Sequence, residues 1–447
     1  MSKIRQSVMG VLCVGEEYLF IKRQNYLNVF PGYTSFPGGK VEREDDCNPP
    51  AMLSEFSADL IECLRRELSE EISFDLFAAI ENGEVKKVLE LGKVITPDFN
   101  PSRFENYYFK IELHSKPPIN FDENEIASIS WESAKTIYER YHRDEILIVP
   151  PMKKLIDGLT QNKSLPINLD LIYDNETEVP VINPVSSVIQ LLPLSNTFPP
   201  AKRTNCFVIG EKPNRIVAID PSPCDEAEYK RFKNSISKFP INFIFLTHHH
   251  PDHHEFSTKL AREMGMPMGM SKDSHERIKS EFGENYFEGI DLTFFKEGDI
   301  LTTCNGEDVV IYETPGHDEG QLSLVPSSKK WAILSDLFQS IGKVVIGAPE
   351  GDMKKYFESM QRMIDLSPRV IFPSHGIALG GVDKLQLTLN HRKERELQVL
   401  GLFNEGKTEK QMLAIIYEGV DSRLFPYAKK TISAHLSKLE SEGKIKR

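Results

Sequence analysis

The sequence predicts a multidomain protein of mixed α/β and α+β class, and three observations point there. The chain has 447 residues, room for two to four domains at roughly 100–200 residues each. Residues 1–161 alternate strands with helices, 185–385 carry many short apolar strands with two or more helices, and 386–447 read as helical. A polar stretch, TQNKSLPINLDLIYDNETEVPVINP, separates the first two blocks, so 162–184 is expected to be a linker. At 40% hydrophobic and 27% charged residues, the composition is globular. No run approaches the ~18 apolar residues of a membrane span. The N-terminal stretch MSKIRQSVMGVLCVGEEYLFIKR is broken by Gly10 and Gly15 and reads as two strands and a turn, not as a signal peptide. Cys13, Cys47, Cys63, Cys206, Cys224 and Cys304 include no closely spaced pair. Free thiols and a reducing, cytoplasmic setting are therefore expected.

In the first block SVMGVLCV, YLFIKR and YYFKIEL read as strands, and SADLIECLRRELSEEI, ESAKTIYERYH and PPMKKLIDGL as helices. The first helix is amphipathic. Leu60, Leu64, Leu68 and Ile72 recur at fourfold spacing on one face. Glu67, Glu70 and Glu71 fall at i, i+3 and i+4 on another. Three like charges repel unless a cation offsets them, and oxygen-only ligands favour Mg²⁺ or Mn²⁺ completed by substrate phosphates and water. The plain alternative is a salt-bridged surface helix.

With SFPGGKVE at 35–42 and RRELSEEISF at 65–74, this region resembles the Nudix box, G-x5-E-x7-R-E-U-x-E-E-x-G-U. Gly39 matches the glycine, Arg66 the arginine, and Glu67, Glu70 and Glu71 the metal carboxylates. The resemblance implies an α/β/α sandwich that cleaves nucleoside diphosphates linked to another moiety. Arg66 would orient the acidic cluster and one glutamate would serve as general base. There are three departures: Asp45 stands where the pattern has glutamate, thirteen residues are inserted before Arg66, and Ser73 replaces the last glycine. They leave open a scaffold that binds metal without turnover. The insertion, TPDFNPSRFENYYFK (96–110) and LFIKRQNYLNVFPGYTSFPGG (19–39) are similar to long-looped coenzyme A diphosphatases. The last stretch keeps Arg23, Gly32 and Phe36 but has Asn28 for a second arginine and Thr34 for a valine.

In the second block INFIFLT (241–247) reads as a buried strand, and five of the twelve histidines follow it within 248–254. Ligands on a loop just past a buried strand rest on a rigid base. His248, His250, Asp252 and His253 fit H-x-H-x-D-H. Distant ligands should also follow strands, and VVIYETPGH ends at His317, WAILSD at Asp336 and RVIFPSH at His375. A solvated histidine loop is the bland alternative. The series resembles the metallo-β-lactamase superfamily, an αβ/βα sandwich. That resemblance implies His248, His250 and His317 on one metal, Asp252, His253 and His375 on a second, and Asp336 bridging. Two Zn²⁺ are the expected ions. They would acidify water and polarise the scissile group, and Asp252 would orient the water. His249 and His254 match no ligand position and are read as supporting or surface residues, and His275 as surface.

The third block carries 12 Lys/Arg against 8 Asp/Glu, a net of +4, while the whole chain stands at −12. Its apolar spacing supports helices at Met412-Ile415-Ile416 and Ile432-Leu436-Leu439, and SEGKIKR reads as a short β wing. With NHRKERE before it, it looks like the winged helix of the beta-lactamase-like-protein-2 type, whose members include single-strand endoribonucleases. Lys429, Lys430, Lys438, Lys444, Lys446 and Arg447 are candidate phosphate contacts. Alternatively this small domain packs on the core and shapes its entrance. The expected partners are a nucleotide diphosphate or a coenzyme A-type molecule, with single-stranded RNA a candidate and no membrane. The sequence leaves the oligomeric state open.

Overall fold

The computed structural model describes residues 4–97, 100, 103–161, 163 and 165–447. Residues 98, 99, 101 and 102 of the stretch 96–110 lie outside the described residues. The chain forms two compact units, one of residues up to Ile172 with Asn183–Ser186, the other of Tyr173–Ile182 with Ser187–Arg447.

The first unit is built on a six-stranded sheet. Arg5–Val14 pairs antiparallel with Glu17–Arg23 and parallel with Phe104–Leu113, whose other edge takes Val85–Ile95. Helix Ala58–Ile72 lies on this sheet. Leu60, Leu64, Leu68 and Ile72 are all buried, as the fourfold spacing predicts. The approach is close, because a Cβ on Gly10 would lie 2.9 Å from Leu68 Cδ2. Helices Ala134–His142 and Pro150–Thr160 contribute Ile137, Tyr141, Met152 and Leu155 to a second cluster with Val11 and Phe20. The expected linker is not a free tether. Ile167 is buried and its N–H donates to Leu91 O at 2.7 Å in the first unit. Val179 is buried with its N–H on Ser235 Oγ at 2.9 Å in the second.

The second unit has two sheets. In one, Val217–Ile219, Phe243–Phe245, Met268–Met270 and Leu292–Phe294 run parallel. It continues antiparallel through Cys206–Ile209 to Val188–Leu191. In the other, Ile300–Cys304, Glu307–Glu313, Leu322–Pro326 and Trp331–Ser335 form an antiparallel meander, and Val370–Pro373 runs parallel to the last. Phe243–Phe245, Trp331–Ser335 and Val370–Pro373 are buried along their length, which is why they read as unbroken apolar runs. Helices Asp383–Asn404, Glu409–Ile416 and Phe425–Ser441 follow, packed around Val399, Met412, Ile432, Leu436 and Leu439. The helix expected at Met412-Ile415-Ile416 forms, with Met412 buried and Ile415 half exposed. One expectation here is corrected. No strand forms at the expected wing: the last helix ends at Ser441, and Lys444 N–H bonds to Leu439 O, which curls the tail back and buries Ile445.

Among the described residues no helix is long and apolar enough to cross a membrane. All six cysteines are free thiols.

Candidate metal centres

In the second unit each predicted ligand follows the end of a strand. The chain leaves Phe243–Phe245 through Thr247–His250 into a one-turn helix, Pro251–His254. Asp336 directly follows Trp331–Ser335, and His375 lies just past the parallel neighbour Val370–Pro373. His317 follows Glu307–Glu313 through a Thr-Pro-Gly turn. Gly316 is required there, since at φ +139 a Cβ would lie 2.3 Å from the Tyr356 backbone.

The side chains converge as two groups. His248 Nε2 and His317 Nε2 each lie 2.9 Å from His250 Nδ1. Asp252 Oδ2 is 3.5 Å from His375 Nε2 and 3.9 Å from His253 Nε2. Asp336 stands between them. Its Oδ2 is 3.6 Å from His317 Nε2, and its Oδ1 is 3.4 Å from His375 Nε2 and 3.8 Å from His253 Nε2. One carboxylate thus offers an oxygen to each group.

Whether these residues suit a cation can be tested on their unpaired atoms. His253 Nε2 and Asp336 Oδ1 are buried and have no hydrogen-bond partner. A bare buried polar atom costs about 1–3 kcal/mol, and these two face the same space. Burial, then repulsion from His253, His250 and His317, holds His248 well below the ordinary imidazole range. Burial, His317 and His249 do the same to His250. Both are therefore neutral, the form that binds a metal. Burial opposes protonation of His253, but Asp252, Asp220 and Asp336 override it and push the group up to about 10. That side therefore holds a positive charge in any case, either a proton or a metal ion. Imidazoles and carboxylates in two groups with a shared carboxylate fit two divalent ions.

The outward nitrogens are fastened. His253 Nδ1 meets Asp220 Oδ2 at 2.9 Å, His317 Nδ1 meets Val345 O at 2.9 Å, and His375 Nδ1 meets Arg203 O at 2.9 Å. His248 Nδ1 lies 3.1 Å from Thr247 Oγ1. Such partners fix which ring nitrogen faces the metal. Asp220 also accepts from Thr247 N–H at 2.8 Å and from its hydroxyl at 2.6 Å. Sequence reading missed Asp220. The signal was present, since RIVAID is also an apolar strand ending in a carboxylate. Asn205, which donates to Pro373 O at 2.8 Å and Gly376 O at 2.9 Å and so clamps the His375 loop, gave no such signal.

His249 and His254 are buried supports. His249 Nδ1 lies against Asp318 Oδ2 without an aligned hydrogen bond. His254 bridges Tyr286 OH at 2.8 Å and His249 O at 3.0 Å. His275 differs from the surface expectation: its ring lies half-buried against Phe287, 5.4 Å between centroids.

The first unit's acidic helix is arranged differently. Arg66 Nε is 2.9 Å from Asp45 Oδ1, Nη2 is 3.2 Å from Asp45 Oδ2, and Nη1 is 2.8 Å from Glu67 Oε1 and 3.2 Å from Glu70 Oε2. Asp45 therefore reaches Arg66 despite the inserted loop. Glu71 is buried and accepts Gly38 N–H at 2.7 Å. Burial, only partly offset by that bond, combines with Glu67 and Glu125 to push its carboxyl up to about 8. Burial also raises Glu67. A Cβ on Gly39 would lie within 2.3 Å of Glu67 Oε1, so glycine keeps the space before the carboxylates open. Glu67, Glu70 and Glu71 share a face, yet they do not close into a three-ligand group among the described residues. Ser73 ends the helix at φ +54, the left-handed conformation that the expected glycine would supply.

Of the lysines expected to meet phosphates, Lys438 is not available. It is buried, 2.8 Å from both Glu396 and Glu442. Lys444 pairs with Glu442 at 2.7 Å and Arg447 with Glu440 at 3.1 Å, while Lys429 and Lys430 stay exposed.

Comparison with known proteins gives three matches along the chain. Residues 3–150 match the NUDIX domain, 199–375 the metallo-beta-lactamase superfamily, and 408–447 the beta-lactamase associated winged helix domain. The chain is 28% identical over 277 residues to the Beta-lactamase-like protein 2 homolog of Drosophila melanogaster, covering 58% of this chain and 90% of that protein. Over 126 residues it is 30% identical to a hydroxyacylglutathione hydrolase of Brucella anthropi, covering 28% of this chain and 44% of that protein. The crystal structure of a beta-lactamase domain protein from Burkholderia ambifaria superposes with a TM-score of 0.52 at 17% identity, over 62% of this chain and 91% of that one, and so shares the fold.

Proposed function

We propose that this chain, a hydrolase that joins a Nudix domain to a metallo-beta-lactamase domain with its associated winged helix, works as two independent metal-dependent heads. In this reading the second head hydrolyses a phosphodiester in the manner of an endoribonuclease, and the first cleaves a diphosphate linked to a nucleoside. The observation that carries it is the convergence of seven side chains from four strand ends, with Asp336 facing both groups.

In the second head His248, His250 and His317 would hold one divalent ion and Asp252, His253 and His375 the other, with Asp336 between them. Ions held there, zinc by the choice of donors, supply a Lewis acid and lower the pKa of water. The protein's own contribution is orientation. Asp220, Val345 and Arg203 fix the rings, and Asp252 Oδ2, at the rim of its group, is placed to hold the proton of an incoming water. In the first head Glu67, Glu70 and Glu71 would take Mg²⁺ or Mn²⁺, whose role is to offset the charge of a diphosphate. Glu71, held up to about 8 before metal arrives, carries a proton near neutral pH and would give it up on binding the ion; one of the three glutamates would then serve as general base, and Arg66 sets the orientation of Glu67 and Glu70.

A second reading is favoured by the relative named for hydroxyacylglutathione hydrolysis and by the 19–39 stretch. Here the second head would release an acyl group from a thiol carrier and the first would cut the diphosphate of coenzyme A. A hydrolysis screen with Zn²⁺ and Mg²⁺ separates the two readings, using single-stranded RNA, an acyl-coenzyme A and nucleotide diphosphates. RNA cleavage lost only in His250→Ala supports the first reading. Release of free thiol with RNA untouched replaces it with the second.

A further inference from the structure

Three consecutive residues tie the candidate metal centre to a group of basic side chains. Val345 O accepts from His317 Nδ1 at 2.9 Å. Val344 O accepts from the Arg392 guanidinium. Lys343 Nζ lies 3.5 Å from His391 Nε2. Arg395, one helical turn beyond His391, donates to Ile416 O at 3.1 Å and stacks over Tyr417, 4.8 Å from its centroid. Since consecutive Cα atoms are ~3.8 Å apart, Lys343 begins within about 8 Å of the residue that anchors a metal ligand.

This cluster is unusual for an acidic protein. Lys343 and His391 are exposed, Arg395 is half-buried, and none of the three forms an ion pair with a carboxylate among the described residues. Burial, then Lys343, Arg395 and Arg392, hold His391 below its ordinary imidazole range, and Glu394 on the same helix only partly opposes them, so His391 enters the cluster as a neutral ring. The neighbouring Glu396 is occupied by His435 and Lys438. Arg392 is buried, caps Val344 O and lies over the Tyr356 ring, so it fixes the loop that presents Lys343. Lys343 stands near Arg392 and Arg395 with no carboxylate between them, and burial and those two guanidiniums hold its ammonium below the ordinary lysine range, a repulsion that a bound anion removes.

We propose that Lys343, His391 and Arg395 form a phosphate subsite beside the metal centre, holding a phosphate of the substrate other than the group that is cleaved. The proposal rests on the reading of the second unit as a metal hydrolase but serves either substrate class. RNA offers the next backbone phosphate, and coenzyme A offers its diphosphate and 3′-phosphate.

The test is equilibrium binding to the full chain carrying His250→Ala and Glu70→Gln, so that neither head turns over. The probes are a labelled single-stranded RNA, coenzyme A and inorganic pyrophosphate, each titrated across a salt series. Lys343→Gln and Arg395→Gln should each weaken at least one probe by about tenfold and, for RNA, lower the slope of log affinity against log salt by about 1. Lys343→Arg and Arg395→Lys should restore binding, which loss of folding would not allow. If coenzyme A responds and RNA does not bind, the subsite stands and the endoribonuclease reading falls. If wild-type protein cleaves RNA but both glutamine variants bind every probe normally, the subsite falls and the endoribonuclease reading stands. Failure of all three probes to bind the unsubstituted background also overturns the subsite.

Discussion

The two candidate metal sites solve the same electrostatic problem in opposite ways. In the second unit the candidate ligands come from four separate strand ends, and the outward ring nitrogens of His253, His317 and His375 are fastened by backbone or carboxylate, so the cavity exists before any ion arrives. In the first unit the carboxylates share one helix, Arg66 occupies two of them, and Glu71 is pressed against Gly38 N–H. The first site is thus held by internal cations and protons until metal and substrate displace them. Strand ends give a fixed cage, whereas a helix face gives a row of charges whose geometry is completed by the ligand.

The sharpest way to break this comparison is to remove one member of each site. His250→Ala takes a nitrogen that two other ligands face at 2.9 Å, and should lower activity of the second head by about a thousandfold or more while any diphosphatase activity persists. Glu70→Gln should do the reverse. Parallel assays of both activities check this, and a variant that silences both would end the picture of independent heads.

Next in size is the support of the cage. Asp220→Asn leaves shape and volume but removes the charge that meets His253 Nδ1. Metal affinity at that side should fall by about 10–100-fold, read by competition with a chromogenic chelator, while the affinity of the His248–His250–His317 group changes little. Equal loss at both sides would show that the cage is one unit.

A smaller effect distinguishes the other site. Glu71 has a folded-state pKa raised to about 8. Between the ordinary carboxyl range and that value the unfolded chain releases a proton that the folded unit keeps, so metal-free stability falls as pH rises through this window. Glu71→Gln keeps the acceptor for Gly38 N–H and removes the charge. It should stabilise the metal-free protein at pH 8 by about 1–3 kcal/mol and have little effect at pH 4.5. Thermal melts with and without Mg²⁺ check this, and added Mg²⁺ should stabilise the unsubstituted protein only.

What the sequence disclosed follows the same division. The strand-end rule found His317, Asp336 and His375 because a buried strand is a long apolar signal with a sharp end. Applied once more it would have found Asp220. The helix spacing placed Glu67, Glu70 and Glu71 on one face, but it could not show that Arg66 links two of them to Asp45 across thirteen inserted residues, since loops carry no periodicity. Lys438 read as a phosphate contact because its charge is visible in the sequence, whereas its buried partner Glu396, 42 positions away, is brought to it only by packing of the last helix. The missing wing has a similar cause: SEGKIKR is short, and the tail's backbone bonds are satisfied by the helix it leaves.

The smallest prediction concerns Ser73, where the sequence departs from the box it otherwise resembles. The helix must reverse there. Ser73 N–H bonds to Ser69 O at 3.1 Å and Phe74 N–H to Leu68 O at 3.0 Å, closing the last turn, which places Ser73 at φ +54. A residue with a Cβ pays roughly 1 kcal/mol for that conformation and glycine does not. Ser73→Gly should therefore raise the melting temperature of the first unit by about 2–4 °C without changing diphosphatase turnover, because Glu67, Glu70 and Glu71 keep their places on the helix. A gain in turnover would instead mean that the departure throttles the site, and that the geometry of the helix end, not the shared cation, sets the activity of the first head.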